Sequence, residues 1–269
     1  MKRISSHWLI GLSLLLVLLV LHRTDHPYLE NLRNHTFDLY QQMQPRLPTK
    51  DQMARVAIVD IDEAALKTIG QWPWSRTDLA ALVDRLSEIG VAVIGFDVVF
   101  AEPDRTSPAR IAAGREDLPP ALRKSLEQLP TNEHLFAEAI GKSRVVLGQV
   151  GIYQPTPNAT LRQKVGYGYL AADPKSSIYP MLNSYQGLVQ NQPELEEAAS
   201  GLGLFSTTPD SDGTIRKVAL VERVGKVTYP SLSLEMLRVA LQGQDDYLIK
   251  GYKDGSPGIQ SIIVKTADP

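Results

Sequence analysis

Residues 55–62 read Arg-Val-Ala-Ile-Val-Asp-Ile-Asp, and residues 91–97 read Val-Ala-Val-Ile-Gly-Phe-Asp. Both runs are apolar and rich in β-branched residues, which is typical of strands that are buried on both faces of a sheet. Residues 75–90 between them carry apolar side chains at helical spacing, with Ser75 as the expected N-cap and Gly90 as the stop signal. A helix that connects two buried strands predicts a right-handed βαβ unit. The expected fold class is therefore α/β, with a mixed sheet built on a βαβ core.

The composition excludes several classes of protein. The chain has 269 residues, of which 43% are hydrophobic and 22% are charged, so it is expected to fold around one large core or two smaller ones. Lys and Arg number 28 against 30 Asp and Glu, and the formal net charge of -2 argues against a nucleic-acid partner. The absence of Cys excludes disulfides, thiolate metal sites and a Cys nucleophile. We expect no cofactor.

The N-terminal residues carry the clearest membrane signal. Residues 8–21 contain no charged side chain, and residues 4–7 extend this run to about eighteen residues, nearly enough for a hydrocarbon layer about 30 Å thick. A cleaved signal peptide and a buried core helix are the alternatives, but no small-residue cleavage site follows, and the run is apolar on all sides. Lys2 and Arg3 precede it, which places the N-terminus in the cytoplasm. We therefore predict that a transmembrane signal anchor in residues 1–23 precedes the α/β body.

Two further segments complete the predicted organisation. Residues 24–50 are expected to be a juxtamembrane helix and linker, because a helical pattern over residues 30–44 ends at Pro45. Residues 51–269 are expected to form the extracytoplasmic body. Its further predicted elements are a helix over 121–128, a helix from Asn132 to 140, a strand over 144–150, a loop-rich stretch over 153–185, strands over 202–206 and 214–223 that flank a turn at 209–213, a tight turn at 224–226, a helix capped by Ser231, and an unpartnered strand over 261–265.

Acidic side chains follow both strands of the predicted βαβ unit. Asp60 and Asp62 end the first strand, and Asp97 follows the second. Glu102 and Asp104 lie in the loop beyond. Ligands of open α/β sheets collect at the carboxyl ends of the strands, so these carboxylates are candidates for binding a hard cation or a basic ligand. Alternatively, they cap the following helix and accept hydrogen bonds from loop amides. We expect no resident metal.

An enzymatic alternative rests on the first pair of carboxylates. An apolar strand followed by Asp60 and Asp62 resembles the first motif of haloacid-dehalogenase-like phosphatases, which would make Asp60 the nucleophile and Asp62 the general acid beside Mg²⁺. That family has Thr or Val two residues beyond the second Asp, where this chain has Ala64. We therefore expect no catalytic residues in this chain and keep the phosphohydrolase as the alternative.

Two tryptophans and an arginine complete the candidate site. Trp72 and Trp74 flank Pro73 just before the predicted helix, where the rings either form the wall of a ligand site or fix the start of the helix to the sheet. Arg76 follows on the same segment. The candidate ligand-binding residues are Asp60, Asp62, Trp72, Trp74, Arg76, Asp97, Glu102 and Asp104.

Several short motifs occur in a characteristic order along the chain. They are Asn34-x-x-Phe37-Asp38, Val59-Asp60-Ile61-Asp62, Gly70-x-Trp72-Pro73-Trp74-x-Arg76, Gly90-x-x-Val93-Ile94-Gly95-Phe96-Asp97-x-x-Phe100-x-Glu102-Pro103-Asp104, Gly201-x-Gly203, Asp210-x-Asp212-Gly213-x-x-Arg216 and Tyr229-Pro230-Ser231-Leu232. This succession resembles the type-2 CHASE domain, an extracellular sensory domain of bacterial cyclases, histidine kinases and related receptors. The resemblance covers residues 34–240, although Asn132 stands where the family tends to carry Asp.

The resemblance implies a sensor in the periplasm, anchored in the bacterial inner membrane. Members of the family usually continue into further transmembrane helices and a cytoplasmic output domain, most often an adenylate or guanylate cyclase, or a histidine kinase. We therefore expect this chain to be a fragment of such a receptor. A parallel homodimer suits a receptor with one anchor, and the sensed ligand or partner protein is not predicted. A periplasmic scaffold that docks a partner protein is the remaining alternative.

Overall fold

The computed structural model describes residues 6–23, 27–45, 47, 49, 56–157, 160–170, 179–252 and 258–266. The chain divides into two compact units. Met1–Ile61 and Thr208–Lys217 form the first, which we call the helical unit. Asp62–Thr207 and Val218–Pro269 form the second, which we call the body. The predictions that rest on Lys2 and Arg3 lie outside the described residues.

In its described residues, the helical unit has the helices α1 at Ser6–Arg23 and α2 at Pro27–Met43. Large apolar side chains of α1 are exposed, whereas α2 mixes polar and apolar residues. Helix α2 confirms the helix that the sequence predicts over residues 30–44. Among the described residues, no helix combines the length and the hydropathy that crossing a membrane requires.

The body contains short helices and strands that alternate along the chain. Its helices are α3 at Glu63–Ile69, α4 at Arg76–Glu88, α5 at Pro108–Gly114, α6 at Pro120–Glu127, α7 at Asn132–Gly141, α8 at Pro193–Ala198 and α9 at Leu232–Ala240. Its strands are β1 at Ile94–Phe96, β2 at Val145–Ile152, β3 at Gly166–Leu170, β4 at Ser184–Tyr185, β5 at Gly187–Val189, β6 at Gly201–Leu204, β7 at Val221–Val224, β8 at Val227–Pro230, β9 at Gly243–Gly251 and β10 at Ile259–Thr266.

The largest sheet of the body is mixed and centred on β2. Strands β1 and β6 pair with β2 in parallel, and β5 pairs with it antiparallel. The chain between β1 and β2 contains α7, so this parallel pair belongs to a βαβ unit. The chain between β2 and β6 contains β3, β4, β5 and α8. Two further sheets have the orders β10-β9-β3 and β4-β7-β8. The expected mixed α/β fold is thus confirmed.

The predicted first strand is wrong, and so is the predicted βαβ unit that it would begin, because β1 pairs with β2 instead. Residues 56–62 form no strand, and the side chains of Val56, Ile58 and Val59 are 74%, 90% and 61% exposed. Strand β1 confirms only the last part of the predicted second strand. An apolar β-branched run identifies a segment that is able to pair, but it does not identify a pairing partner.

Helix α4 packs on the core of the body and fixes the segment that carries the candidate residues. Ser75 accepts a hydrogen bond from the Asp78 backbone N–H at 3.1 Å, which confirms the predicted N-cap. Its hydroxyl also donates to the Asp78 carboxylate at 2.7 Å. Leu79 and Val83 of α4 are buried against α7 and β2, where Phe136 and Leu147 are also buried. The start of α4 is therefore held by both a cap and the core.

Several local predictions are confirmed, and three need correction. Helix α6, strand β2, the β7–β8 hairpin and the Ser231 cap lie at the expected places. Helix α7 is capped by Thr131 rather than Asn132, because the Thr131 hydroxyl accepts from the His134 backbone N–H at 3.1 Å. The predicted strand over 214–223 is reduced to β7. The predicted strand over 261–265 has a partner after all, since β10 pairs with β9.

Candidate functional site

The carboxylates at the predicted sheet edge have separate surroundings. Asp62 is the N-cap of α3, and its Oδ1 accepts a hydrogen bond from the Ala65 backbone N–H at 2.8 Å. A general-acid role for Asp62 would require its carboxylate to leave this cap. Asp60 and Asp97 are both exposed. Among the described residues, no three His, Asp or Glu side chains are grouped so that they could hold a metal ion.

Trp72 and Trp74 contact each other and pack against the core of the body. Their ring centroids lie 5.7 Å apart in an edge-to-face arrangement, and the Trp74 Nε1 donates to the Gly70 carbonyl at 2.8 Å. These contacts favour the interpretation in which the two rings fix the start of α4. A ligand contact at these rings stays a prediction.

Arg76 and Asp104 come together in a buried polar network. The Arg76 backbone N–H donates to Asp104 Oδ2 at 2.7 Å, and the Arg76 Nη2 donates to the Glu102 carbonyl at 3.1 Å. The guanidinium lies 4.5 Å from the centre of the Phe100 ring. The Arg76 Nε is buried and has no hydrogen-bond partner in the part of the chain that the structure describes. The Glu102 side chain itself is exposed.

Asp104 is the centre of this network. Its Oδ1 accepts from the Thr106 backbone N–H and hydroxyl, both at 2.8 Å, and its Oδ2 also accepts from the Asn132 Nδ2 at 2.9 Å. The Asp104 backbone N–H donates to the Glu133 carboxylate. The network thus joins the start of α4, the loop after β1 and the start of α7.

Burial and hydrogen bonding act in opposite directions on the charges of this network. Burial alone raises the pKa of Asp104, but the hydrogen bonds from Arg76, Asn132 and Thr106 outweigh it and hold the pKa below its usual value. Burial lowers the pKa of Arg76, and Asp104 and Glu133 oppose that shift. Since Arg76 and Asp104 are only 7% and 8% exposed, this network joins buried segments of the body, and ligand binding by these two residues stays a prediction.

A second arginine network lies in the helical unit. Arg216 donates from Nε and Nη2 to the two carboxylate oxygens of Asp38, at 2.9 and 2.7 Å. Its Nη1 donates to Asp210 and Asp212 at 2.9 Å each, and its Nη2 donates to Asp212 at 2.6 Å. These bonds use every N–H group that an arginine side chain has. We call Arg216, Asp38, Asp210 and Asp212 the Arg216 clamp.

A tight turn positions the two loop carboxylates of the clamp. The Gly213 backbone N–H donates to the Asp210 carbonyl at 2.8 Å, and Gly213 has a φ of 80°, which favours glycine. The Thr214 backbone N–H donates to Asp212 Oδ1 at 3.0 Å. The predicted turn at 209–213 is confirmed, and it brings both carboxylates to Arg216.

The clamp also changes the acidity of its members. Its hydrogen bonds to Arg216 lower the pKa of Asp38 below the usual value, and those to Arg216 and the Thr214 backbone lower the pKa of Asp212 far below it. Hydrogen bonds to Asp38, Asp212 and Asp210 in turn raise the pKa of Arg216. The Arg216 side chain is only 6% exposed, so the guanidinium is charged and largely enclosed by carboxylates.

One face of α2 carries the contacts to the loop. Asn31, Asn34 and Asp38 lie three and four residues apart, which places them on the same side of the helix. Ser211 donates to Asn31 Oδ1 at 2.8 Å. Asn34 is 5% exposed, and its Nδ2 has no hydrogen-bond partner among the described residues. This face joins segments that lie 178 residues apart in the sequence.

Sequence reasoning did not single out the clamp as a site. Its members lie in two of the quoted motifs, Asn34-x-x-Phe37-Asp38 and Asp210-x-Asp212-Gly213-x-x-Arg216. The signal that could have found it is that one motif carries Asp38 and the other carries the oppositely charged Arg216. The second motif was interpreted only as a turn.

An open groove lies away from the candidate residues. Its volume is about 280 Å³, and it lies between α4 and α7, where Thr77, Asp84, Leu135 and Lys142 contribute to its lining. None of the eight candidate ligand-binding residues lines this groove.

The described residues define an α/β domain that carries an N-terminal helical segment. The family model of the CHASE2 domain matches residues 12–266, nearly the whole chain. The chain therefore belongs to the CHASE2 family, whose domains are extracellular sensors of signalling receptors. The resemblance inferred from the ordered motifs is confirmed, and a sensory family is consistent with a chain that is not an enzyme. No curated protein and no solved structure gives a significant match.

Proposed function

We propose that this chain is the extracytoplasmic sensor region of a bacterial transmembrane signalling receptor. Helix α1 anchors it at the inner membrane, and the body lies in the periplasm. Its state controls a cytoplasmic output domain, an adenylate or guanylate cyclase in the first place and a histidine kinase otherwise. The membership in a family of extracellular sensors supports the sensory part of this proposal.

The observation that carries the membrane part is the apolar surface of α1. The large apolar side chains over residues 14–20 are consecutive, and each of them is 53–63% exposed. Consecutive residues of a helix point in all directions around its axis, so α1 is apolar on every side. Such a surface is unfavourable in water and favourable in a lipid layer. Helix α1 is therefore the segment that we place in the membrane.

The topology of fusion proteins tests this proposal. Alkaline phosphatase, which is active only outside the cytoplasm, is fused after Pro269 in one strain, and a fluorescent protein that folds only in the cytoplasm is fused there in another. We expect phosphatase activity without fluorescence. The matched control lacks residues 1–23 and should give fluorescence without phosphatase activity. Fluorescence from the intact fusion would contradict the proposal.

A further inference from the structure

The partners of Arg216 are of two kinds. Asp210 and Asp212 are six and four residues away in the same loop. Asp38 is 178 residues away, on α2. The clamp therefore consists of a local part, which the turn holds together by itself, and one bidentate contact that ties α2 to the loop.

Release of Asp38 would leave no buried charge without a partner. Arg216 would keep its three hydrogen bonds to Asp210 and Asp212. The Asp38 side chain is already 37% exposed, so water can replace the guanidinium around it. Breaking a buried ion pair is costly mainly because it leaves one charge without a partner, and this contact avoids that cost.

The same helix face contains a group that is not satisfied while the contact is made. The Asn34 Nδ2 is buried without a hydrogen-bond partner among the described residues, and a buried polar group of this kind costs free energy. Favourable ionic bonds and an unfavourable buried amide thus lie on the same face of α2.

The position of the clamp in the chain suits it to a role in signalling. The loop Thr208–Lys217 is joined covalently to the body at both ends, and β7 follows at Val221–Val224. Strand β7 is paired with both β4 and β8, so a rearrangement of that sheet moves one end of the loop. Asp38 belongs to α2, which follows the helix that we place in the membrane.

We propose that the Arg216 clamp is a releasable joint between α2 and the loop Thr208–Lys217, whose two ends continue into the body. The Asp38–Arg216 bonds are made in one signalling state and broken in the other, while Asp210 and Asp212 hold Arg216 in both. A sensor needs two states that its input populates differently, and this contact supplies a local difference between them. The inference rests on the proposed function, because it assigns a role in signalling to a contact next to the proposed anchor.

Distances between spin labels test the joint in the full chain in lipid nanodiscs. The chain has no Cys, so Gln41→Cys and Ile215→Cys place one label on α2 and one on the loop, both at exposed positions. We expect two defined distances, with the engaged one dominant. Asp38→Asn keeps the size of the side chain but removes its charge, and it should move population from the engaged to the released distance. An unchanged distribution, or a spread without a second defined distance, would overturn the proposal.

Exchange of the charges of Asp38 and Arg216 gives a second test, in which a lost contact is expected to return. Asp38→Arg alone places two guanidinium groups together and should release α2. Asp38→Arg combined with Arg216→Asp places one arginine on α2 opposite three loop carboxylates and should restore the engaged distance. Failure of the double variant to restore it would also overturn the joint.

A matched control comes from the body. Glu88→Gln removes the Arg85–Glu88 pair, which has an N···O distance of 2.7 Å and is exposed, and it should leave the label distances unchanged. The proposed function and the proposed joint can be rejected independently of each other. A reversed fusion topology would reject the membrane-anchored sensor without altering the label distances, and unaltered distances in Asp38→Asn would reject the joint without altering the topology.

Discussion

Two arginines, Arg76 in the body and Arg216 in the helical unit, are both nearly buried and both lie beside carboxylates, yet their bonding differs. The Arg216 side chain donates only to carboxylates and uses all of its N–H groups. The Arg76 side chain donates to a backbone carbonyl and lies over the Phe100 ring, and none of the described residues accepts a hydrogen bond from its Nε. Asp104 reaches Arg76 through the backbone N–H instead.

The difference separates a structural network from a replaceable contact. In the body, Asp104 accepts hydrogen bonds from three residues that lie on different segments. Loss of this carboxylate would leave all three donors without an acceptor. In the clamp, one carboxylate can leave while the charge of the arginine stays paired with two others. A contact that is suited to signalling is thus one that the protein can lose cheaply. The predictions below test this contrast, beginning with the largest expected effect.

Loss of the Asp104 carboxylate should destabilise the body strongly. Asp104→Ala leaves the Arg76 and Thr106 backbone N–H groups and the Asn132 amide without their acceptor, all in a buried site. We expect a loss of about 3–5 kcal/mol in the free energy of unfolding, measured by urea denaturation. Glu102→Ala, two residues away at an exposed side chain, is the control and should change it by less than about 0.5 kcal/mol. Equal effects of the two variants would show that the network is not structural.

Substitution by lysine should have different effects at the two arginines. Arg76→Lys keeps a charge above the Phe100 ring and loses one hydrogen bond to the Glu102 carbonyl, so we expect a loss of about 1–2 kcal/mol in the unfolding free energy of the body. Arg216→Lys cannot make two bidentate contacts, because an ammonium group lacks the planar fork. It should release α2 in the spin-label experiment and leave the urea midpoint of the body unchanged. The opposite pattern would reverse the roles assigned to the two residues.

The features that the sequence predicts correctly are those with local signals. The Ser75 cap and the Ser231 cap each depend on a side chain and a backbone N–H three residues away, and the β7–β8 hairpin depends on Gly225 with its φ of 58°. The core face of α4 follows from helical spacing in the same way. Such interactions lie within a few residues, so the residue types alone indicate them.

Features that depend on distant residues were missed or misplaced. The predicted first strand, residues 56–62, has the composition of a strand but no pairing partner, and composition carries no information about partners. Strand β9 was missed because its first residues are polar, although Tyr247 and Ile249 alternate on its buried side. Of the eight candidate residues, the sequence brought Arg76 and Asp104 together correctly. It did not indicate the Asp38–Arg216 contact, because nothing local connects them.

Acid should release the clamp. The folded pKa values of Asp38 and Asp212 are lowered, so the stability that these groups contribute is fully present above their usual value of 3.8 and is lost as the pH falls through the folded values. The label distances should therefore shift toward the released state below pH 3.8, since protonation removes the charge that Arg216 binds. Asp38→Asn should show the released distance at every pH, without this step. A step of the same size in Asp38→Asn would mean that other groups open the contact.

The smallest expected effect lies in the body, at a histidine that has the opposite dependence on pH. His134 of α7 contacts Glu194 of α8 at 2.8 Å, and this hydrogen bond, with the nearby charges of Glu194 and Glu138, raises the pKa of His134 above 6.5. The stability from a raised pKa is fully present below the unfolded value and is lost as the pH rises through the folded value. The urea midpoint should thus be slightly higher at about pH 6 than at about pH 9, and His134→Gln should remove the difference. Since both side chains are about half exposed, the difference should also shrink in high salt. If the pH difference in the urea midpoint persists in His134→Gln, other groups of the body cause it. If release of the clamp follows the titration of His134 rather than that of Asp38, the clamp and the body do not respond to pH independently.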